Sequence, residues 1–573
     1  MNLESLSQIA VKRGYFWQSA ENYGKISGFY DYGPLGVRLR QKMIECWRKM
    51  YVHDENFLEI ETPSITPFEV FHASGHINHF TDAVATCKKC KKSFRADKLI
   101  EETIHKNVDG LDCETLDSII LKNNIVCLEC NSHLEKVKSL NLMFETHIGP
   151  VSGKKGFLRP ETAQGIFIIF NRLYRLAGSK LPFGVVQIGK GFRNEISPRQ
   201  GMIRLREFTM MEAELFLDPD EKTYPKIKTV ENVEINVYLA KDQQNGTDTI
   251  TKIKIKELIK NNYVPNEIFA YYLLKTNEFL TKIGIPQKDI RFRQQHSEER
   301  AHYSTETYDA EVRSDVYGWV EVAGHAYRSN YDLRRHSKYS KADMYAYVKY
   351  DAPKKVKETL IKPNRAIIGK TFKKDSKRII SEIESMPIDE IIQKVRRDEL
   401  VIFNHNISKD MIEISEVESM QDGKKIIPSV YEPSYGLDRC FYFVLEKAFT
   451  EEEGRCYFKI AKKMAPISLA VFPIVSKDLF ITTARGIYDT LKSRGYSVIL
   501  EDKDSIGKRY AKADEIGVPY CVTVDNDTLK DTTITIRDRD SKKQVRVLID
   551  ELPSIFQKLY ENDASFEEVG TLF

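Results

Sequence analysis

The segment from Gln187 to Pro219 constrains the fold of this chain more than any other segment. Its pattern predicts two antiparallel strands joined by a polar loop, residues 193–201, which contains a proline and ends in a glycine. Beyond the loop, an alternation of period two places on one strand face the side chains of Arg204, Arg206, Phe208, Met210, Glu212 and Glu214. A face with cations, an aromatic ring and carboxylates could bind a triphosphate, a purine and an ammonium group in turn. The alternative is a half-exposed strand whose charges contact only water.

The composition is that of a globular chain with several domains. Of its 573 residues, 42% are hydrophobic and 30% are charged. The net charge of +4 is small for this length, so contact with RNA would depend on local clusters of Lys and Arg. The first residues carry neither an apolar signal segment nor a transit pattern, and the sequence has no run of about eighteen apolar residues. We therefore expect a cytoplasmic protein with no membrane partner and no DNA partner.

Four of the nine cysteines predict a metal site. Cys87 and Cys90 form one C-x-x-C pair, and Cys127 and Cys130 form another. Two such pairs supply four thiolates to a tetrahedral Zn²⁺, which would be structural because no position stays open for a substrate. The stretch between the pairs exceeds the usual spacing of about fifteen to twenty residues, so we expect a subdomain with helical structure around residues 96–122. The alternatives are unrelated free thiols or a redox pair, and no thioredoxin-like context surrounds either pair.

The segment at residues 192–209 resembles motif 2 of the class II aminoacyl-tRNA synthetases. The pattern F-R-N-E…R-x-R-E-F-T carries this resemblance, and the longer form FRNEISPRxGxIRxREFTMxE is similar to the glycyl-tRNA synthetases of the homodimeric type. A predicted helix over 37–56 and a strand over 57–63 resemble motif 1, although by themselves they would indicate an ordinary helix–strand unit. Residues 428–439, followed by an apolar helix, resemble motif 3, with Asp438 where many relatives have glycine.

Two short patterns narrow the resemblance to glycyl enzymes. R-P-E-T-A-Q spans residues 159–164, and E-P-S-Y-G spans residues 432–436. Prolyl-, threonyl- and histidyl-tRNA synthetases share the domain plan but would not be expected to show both patterns. A non-catalytic nucleic-acid-binding or polymerase accessory subunit should have lost the arginine of motif 2 or motif 3, and Arg193 and Arg439 are both present.

The resemblance implies an α+β catalytic domain in which helices flank an antiparallel sheet, with a zinc-binding insert and a C-terminal α/β anticodon-binding domain. The expected divisions are 1–85 (catalytic domain with motif 1), 86–139 (zinc-binding insert), 140–219 (core with motif 2), 220–300 (insert), 301–340 (core), 341–425 (insert), 426–465 (core with motif 3) and 466–573 (anticodon-binding domain). Motif 1 suggests a homodimer. For the insert 220–300, contact with the tRNA acceptor stem and simple solvent exposure both stay open.

The resemblance also implies ATP-dependent attachment of glycine to tRNA(Gly) through glycyl-adenylate. The catalytic residues would be Arg193, Glu195 and Arg439. The ATP-binding residues would be Arg193, Asn194, Glu195, Arg204, Leu205, Arg206, Glu207, Phe208, Glu321, Val322 and Arg439, with Glu321 holding Mg²⁺. The glycine-binding residues would be Glu161, Thr209, Met210, Met211, Glu212, Arg328, Glu432, Ser434 and Gly436. Among these, Arg328 would face the glycine carboxylate and the glutamates would surround the ammonium group, while Glu161 could instead be a charge at a helix N-terminus.

Two further groups of side chains leave alternatives open. By resemblance to anticodon-binding domains, Lys508, Arg509 and Lys512 would contact RNA phosphates, and the alternative is a solvated helix start. His72 and His76 have the spacing of helical metal ligands. The Ser-Gly pair between them interrupts a helix, which favours a loop at the mouth of the active site.

Overall fold

The computed structural model describes residues 3–572 apart from residues 107, 109, 151, 152, 199, 387, 453, 562 and 563. The chain divides into two compact units, Met1–Met344 with Ile427–Phe573, and Tyr345–Ile426. None of the described helices is long and apolar enough to cross a membrane.

A nine-stranded sheet forms the centre of the first unit. Its strands in chain order are β1 (Leu58–Ile60), β2 (Phe183–Phe192), β3 (Glu207–Leu217), β4 (Glu234–Tyr238), β5 (Thr251–Lys254), β6 (Ile290–Gln294), β7 (Glu306–Ser314), β8 (Gly318–Ser329) and β9 (Ser429–Gly436). Their order in the sheet is β5-β4-β6-β7-β8-β9-β3-β2-β1. Neighbours are antiparallel except for the pairs β4–β6 and β2–β1. The expected antiparallel catalytic sheet is confirmed.

The helices of the first unit pack on this sheet or on the smaller sheets beside it. Outside the C-terminal domain they are Leu3–Lys12, Pro34–Arg48, Phe68–Ser74, His76–His79, Ala96–Ile104, Cys113–Lys122, Ala163–Phe167, Phe170–Leu176, Ala240–Gln244, Ile255–Lys260, Glu267–Lys282, Tyr331–Ser340 and Leu437–Ala448. The motif 1 helix begins at Pro34, whose missing N–H is not needed in the first turn. It buries Leu39, Met43 and Trp47 against the core, because these residues recur at helical spacing. It is followed by a π-helical turn, Lys49–His53.

Residues 220–300, which the sequence analysis expected to be an insert, are part of the central sheet and its core. Strands β4, β5 and β6 from this stretch lengthen the central sheet, and the helix Glu267–Lys282 is buried in the same apolar core. Its aromatic and aliphatic side chains recur on several faces of the helix, which therefore lies inside the domain.

Four smaller sheets complete this region. They are Phe16–Gln18 with Tyr30–Tyr32, the three strands Ile65–Pro67, Lys154–Leu158 and Glu145–Ile148, the three strands Ser93–Arg95, Thr81–Thr86 and Lys138–Asn141, and the hairpin Phe449–Glu452 with Arg455–Phe458.

The C-terminal domain is a six-stranded α/β sheet. Its strands are β10 (Leu469–Pro473), β11 (Val498–Leu500), β12 (Tyr520–Val524), β13 (Thr533–Asp538), β14 (Gln544–Leu548) and β15 (Thr571–Leu572), in the order β11-β10-β12-β13-β14-β15. The first three strands of that order are parallel and the others antiparallel. Its helices are Asp478–Ser493, Ile506–Glu515, Thr528–Asp531 and Leu552–Glu561. The sequence analysis expected a C-terminal α/β domain, and this sheet with its helices is α/β.

The second unit is a long antiparallel ribbon that carries a small helical cap. Strand Ala346–Pro363 pairs with Ile412–Ile426, and the register shifts between Lys349 and Lys354. The helices Arg365–Phe372, Ser376–Ser385 and Ile388–Arg396 and the short strand pair Val401–Ile402 with His405–Asn406 form the rest of the unit.

Candidate active site

A cavity of about 370 Å³ gathers most of the residues that the sequence analysis assigned to substrates. Those that line it are Glu161, Arg193, Glu195, Arg204, Leu205, Phe208, Met210, Glu212, Glu321, Val322, Glu432, Ser434, Gly436 and Arg439. Within the described part of the chain, six of the assigned residues are not in its lining, namely Asn194, Arg206, Glu207, Thr209, Met211 and Arg328. Alternation explains part of this difference, because Glu207, Thr209 and Met211 point to the opposite face of β3 from Phe208 and Met210.

Three glutamates, Glu161, Glu212 and Glu432, form a carboxylate cluster in the cavity. Antiparallel pairing of β3 with β9 places Glu212 opposite Ser434, whose hydroxyl donates to its Oε1 at 3.0 Å. Oε1 of Glu161 accepts a 2.9 Å hydrogen bond from the Gln164 side chain. All three carboxylates are buried, so their charges depend on these partners and on one another.

Burial and mutual repulsion set the charges of this cluster. Burial raises the pKa of Glu432 to about 7, although the neighbouring Arg328 lowers it. The pKa of Glu212 is also raised, first by burial and then by Glu161. Burial opposes the ionisation of Glu161 too, but His76 and Arg328 outweigh it and hold the pKa of that carboxyl well below its usual range. The cluster therefore carries a negative charge near neutral pH, because Glu161 is ionised, while Glu432 is partly protonated.

Arg328 contacts the carboxylate cluster from outside the lining of the cavity. Its guanidinium donates to Asp332 through Nε and Nη2 at 2.7 and 3.0 Å, and to Glu432 through Nη1 at 2.9 Å. It is fully buried and lies over the ring of Tyr303. The guanidinium is thus committed to protein carboxylates, which differs from the expectation that it faces the carboxylate of glycine.

Arg193 and Phe208 present a cation and an aromatic ring to the same cavity. The guanidinium carbon of Arg193 lies 5.2 Å from the centre of the Phe208 ring. Phe208 is directly opposite Gly191 in the β2–β3 register, and a Cβ at that position would come within 2.7 Å of the ring. The absence of a side chain at position 191 therefore leaves the space that the Phe208 ring occupies.

The loop between β2 and β3 is held by one ion pair and by hydrogen bonds from Arg206. Nε of Arg204 donates to Oε2 of Glu195 at 2.8 Å. Arg206 donates to the backbone carbonyls of Glu195 and Ser27. The sequence analysis placed Arg204 and Arg206 on the strand face, but the strand begins only at Glu207, so both belong to the loop and Arg206 fixes its conformation.

Another wall of the cavity carries Arg439 paired with Glu321, and Asp309, which pairs with Arg293 at 3.0 Å. Nη1 of Arg439 lies 3.1 Å from Oε2 of Glu321, and its Nε donates to the carbonyl of Ile203 at 3.0 Å. Burial, followed by the nearby charge of Glu321, raises the pKa of Asp309 to about 7. Paired carboxylates of this kind fit the oxygen ligands that Mg²⁺ prefers, and a bound cation would ionise Asp309 fully.

Two residues that the sequence analysis named without assigning them a substrate, His76 and Asp438, contact residues of the pocket. Nε2 of His76 lies 3.4 Å from Oε1 of Glu161. The segment that carries His76 is helical on both sides of Gly75, which has a φ of 92°, so it is not the predicted loop. Asp438 is buried and accepts hydrogen bonds from the amide of Thr209 and the hydroxyl of Tyr32. The contacts of both residues could not be foreseen, because their partners lie far away along the chain.

The four predicted zinc ligands converge. Their Sγ atoms all lie within 4.8 Å of one another, with 3.4 Å between Cys87 and Cys130 and 3.6 Å between Cys90 and Cys127. A tetrahedral Zn²⁺ with bonds of about 2.3 Å requires sulfur atoms about 3.8 Å apart, so the cluster fits the ion. Backbone amides of Cys90 and Glu129 point at Sγ of Cys87 and Cys127, as in zinc knuckles.

The predicted RNA-contacting residues have different environments. Lys508 is exposed, and Lys512 pairs with Asp504 at 2.5 Å. Arg509 is 2% exposed and donates to the backbone carbonyls of Pro473, Glu501 and Ile474. Its side chain is therefore unavailable to phosphates, because it is buried and its two terminal nitrogens donate to the ends of neighbouring strands.

Comparisons with known proteins agree with this architecture. Residues 152–421 match the model of the tRNA synthetase class II core domain (G, H, P, S and T), and residues 468–559 match that of the anticodon binding domain. The crystal structure of prolyl-tRNA synthetase from Cryptosporidium parvum complexed with halofuginone and AMPPNP superposes with a TM-score of 0.52 at 12% identity, over 97% of this chain and 75% of that one, which shows a shared fold. The fold and the pocket thus define a class II aminoacyl-tRNA synthetase.

The curated relatives decide among the members of that class. The glycine–tRNA ligases of Pyrococcus abyssi and Pyrococcus horikoshii are 48% and 49% identical, each over 97% of this chain and 98% of the relative. That of Methanocaldococcus jannaschii is 44% identical over 96% of this chain and 97% of the relative. The chain belongs to the glycine–tRNA ligase family. The prolyl, threonyl and histidyl alternatives are thereby set aside.

Proposed function

We propose that this pocket forms glycyl-adenylate from glycine and ATP and then transfers the glycyl group to the 3′ end of tRNA(Gly). The observation that carries the proposal is the convergence of Glu161, Glu212 and Glu432 in one cavity with Arg193 and Arg439. Glycine has no side chain to grip, so its affinity must come from its two charges. A carboxylate cluster suits the ammonium group, and a small pocket rejects larger amino acids by overlap.

In this proposal the protein positions the reactants and neutralises their charge. An oxygen of the glycine carboxylate attacks the α-phosphorus, and pyrophosphate leaves with the electrons of the broken P–O bond. No side chain needs to become a covalent nucleophile. Arg193 contacts the α-phosphate, Phe208 stacks on adenine, and Arg439 contacts the outer phosphates. Glu321 and Asp309 would hold Mg²⁺, and the ion would neutralise phosphate charge.

We further propose a structural Zn²⁺ in the four-cysteine subdomain, on the sulfur separations given above. A homodimer through the motif 1 region is supported by the position of β1 at the edge of the central sheet, where one side of a strand is open to pairing. Lys508 would contact tRNA phosphates from the exposed start of its helix. We place the enzyme in the cytoplasm, where tRNA is charged. Light scattering tests the dimer, and metal analysis of the purified protein tests the zinc.

Exchange of labelled pyrophosphate into ATP tests the central proposal. The assay compares glycine with alanine, serine, proline and threonine in separate reactions. Exchange with glycine alone is the expected result, since it reports adenylate formation and its specificity together. Exchange driven by another amino acid, or no exchange by folded and zinc-loaded protein, would refute the assignment.

A further inference from the structure

The base of the four-cysteine subdomain lies against the residues that line the pocket. We call this base the stem and define it as Phe80, the strands Thr81–Thr86 and Lys138–Asn141, and Leu142. The two strands are antiparallel neighbours, with Thr81 opposite Asn141. The amide of Leu142 donates to the carbonyl of Phe80 at 3.1 Å. The chain therefore enters and leaves the subdomain through one closed, hydrogen-bonded end.

The stem holds Arg193 by its side chain and by its backbone. The guanidinium carbon lies 5.4 Å from the centre of the Phe80 ring, so Phe80 and Phe208 flank the same cation. The amide of the next residue, Asn194, donates to the carbonyl of Leu142 at 2.7 Å. Phe80 is not a lining residue of the cavity, whereas Arg193 is. The ring thus supports the cation from behind and is not placed to touch a substrate.

The stem also reaches Glu161, through His76. The amide side chain of Asn141 donates to the carbonyls of His76 and Ile77 at 3.2 and 3.0 Å, and its own Oδ1 accepts from the amide of Met143 at 2.9 Å. These bonds fix the short helix that carries His76. Nε2 of His76 then lies 3.4 Å from Glu161, and its Nδ1 lies 2.8 Å from the hydroxyl of Ser74.

A third contact joins the subdomain to the loop between β2 and β3. The hydroxyl of Ser197 donates to the carbonyl of Ser93 at 2.8 Å, and Ser93 begins a strand of the subdomain. The subdomain therefore contacts the loop beyond Arg193 as well as at Arg193 itself. The stem and the subdomain thus contact Arg193, the loop beyond it and the helix whose His76 lies beside Glu161.

We propose that Phe80 and Asn141 are positioning residues for adenylate formation, through which the four-cysteine subdomain sets the geometry of the pocket. Phe80 holds the guanidinium of Arg193 toward the α-phosphate. Asn141 holds His76 against Glu161, so that this carboxylate faces the glycine ammonium. The inference rests on the roles of Arg193 and Glu161 proposed above. The two residues differ in their main contact. Phe80 supports the guanidinium of Arg193 on the ATP side, although its ring centre also lies 5.9 Å from that of His76. Asn141 holds the backbone of the His76 helix on the glycine side.

Two pairs of variants test this difference by pyrophosphate exchange. Phe80→Leu removes the ring but keeps an apolar side chain. Its control is Phe68→Leu, because Phe68 is equally half-buried and its ring contacts are with His72, Phe157 and another cation, Lys155. Asn141→Ala removes the two donated bonds, and its control is Asn123→Ala, because Asn123 also donates to a backbone carbonyl but lies at a helix end within the subdomain.

We expect Phe80→Leu to raise the KM for ATP about three- to tenfold, as the loss of a cation–π contact implies, with the KM for glycine within about twofold of wild type. Asn141→Ala should raise the KM for glycine by a similar factor and leave the KM for ATP unchanged. Phe80→Tyr keeps the ring and should restore the KM for ATP. The thermal midpoints and zinc contents of the variants should match those of their controls.

Either of two results would overturn the inference. One is that both variants behave as their controls do while the wild type exchanges with glycine, which would leave the proposed function intact. The other is that both variants change both KM values together with a loss of thermal stability, which is what a purely structural stem would give. If the wild type itself does not exchange with glycine, the proposed function fails, and this inference fails with it. Should Asn141→Ala not fold, Asn141→Asp keeps the acceptor for Met143 and removes the donors.

Discussion

The backbone amide of Thr162 donates a hydrogen bond of 2.6 Å to Oε2 of Glu212, a carboxylate that is 1% exposed. The hydroxyl of Thr162 donates to the same oxygen, and Ser434 donates to the other. Burial and Glu161 favour the neutral form of Glu212, while these three donors favour the charged form. The pKa of Glu212 is raised on balance, and the groups that favour its charged form are neutral donors, which do not compete electrostatically with a substrate ammonium.

Replacing Glu212 with glutamine should weaken glycine binding more than it affects stability. A hydrogen bond between charged groups is worth about 1.5–3 kcal/mol, so we expect the KM for glycine to rise about 10- to 150-fold. The thermal midpoint should stay within a few degrees, because the substitution also removes a buried charge. Steady-state pyrophosphate exchange measures the first effect and differential scanning fluorimetry the second. Glu145→Gln, on an exposed strand, is the control. An unchanged KM for glycine would remove Glu212 from the proposed site.

Binding of glycine should release protons near neutral pH. Burial raises the pKa of Glu432 to about 7, so the carboxyl is protonated in about half of the molecules at pH 7. An arriving ammonium group lowers that pKa and expels the proton. Glycine affinity should therefore rise as the pH increases from 6 to 8, and proton release should shrink toward zero above pH 8.

Titration calorimetry without ATP, in buffers of different ionisation enthalpy, measures this release directly. About half a proton per site is expected at pH 7. The variant Glu432→Gln should bind glycine more weakly and show no release. Proton uptake, or the same release by the variant, would contradict the assigned role.

Loss of the metal should unfold the subdomain and disable the pocket. Structural zinc sites contribute several kcal/mol or more to folding, so Cys127→Ser should lower the thermal midpoint by about 10 °C or more, or split the transition. Cys113→Ser is the matched control, since Cys113 lies in the same subdomain and outside the four-sulfur cluster. Metal content by mass spectrometry should fall only in the first variant. Equal midpoints for the two variants would argue against a structural ion.

The sequence predicted local structure well, because short patterns of residues determine it. It predicted poorly which residues contact each other across the fold. Strand pairing placed Phe208, Met210 and Glu212 together because an alternation of period two survives folding. The same alternation wrongly placed Arg206 on the strand, because the sequence pattern does not show that the strand begins only at Glu207. Arg328 has the residue type to bind a carboxylate, but Asp332 and Glu432 already satisfy it. Those partners are set by the tertiary structure, which no local spacing encodes.

Lys508 and Arg509 should separate RNA binding from stability. Arg509→Ala leaves three backbone carbonyls without their donor, so we expect a loss of about 2–4 kcal/mol in the unfolding free energy of the C-terminal domain. Lys508→Ala should leave stability unchanged and raise the KM for tRNA about two- to threefold. The difference between this variant and the wild type should shrink as salt is added, because salt screens phosphate contacts. Chemical denaturation and aminoacylation assays distinguish the two. A stable Arg509→Ala protein with impaired tRNA binding would reverse this assignment.

Gly191→Ala should impair ATP use without unfolding the sheet. The added Cβ would come within 2.7 Å of the Phe208 ring, which must then leave its place beside Arg193. We expect the KM for ATP to rise about tenfold, because base–aromatic stacking is worth about 1–3 kcal/mol, while the KM for glycine stays near that of the wild type. Gly486→Ala is the control: a Cβ there meets no atom within 4 Å, and alanine in a helix should stabilise it by up to about 1 kcal/mol. If Gly191→Ala binds ATP normally, the ring has room to move aside and Phe208 does not stack on adenine.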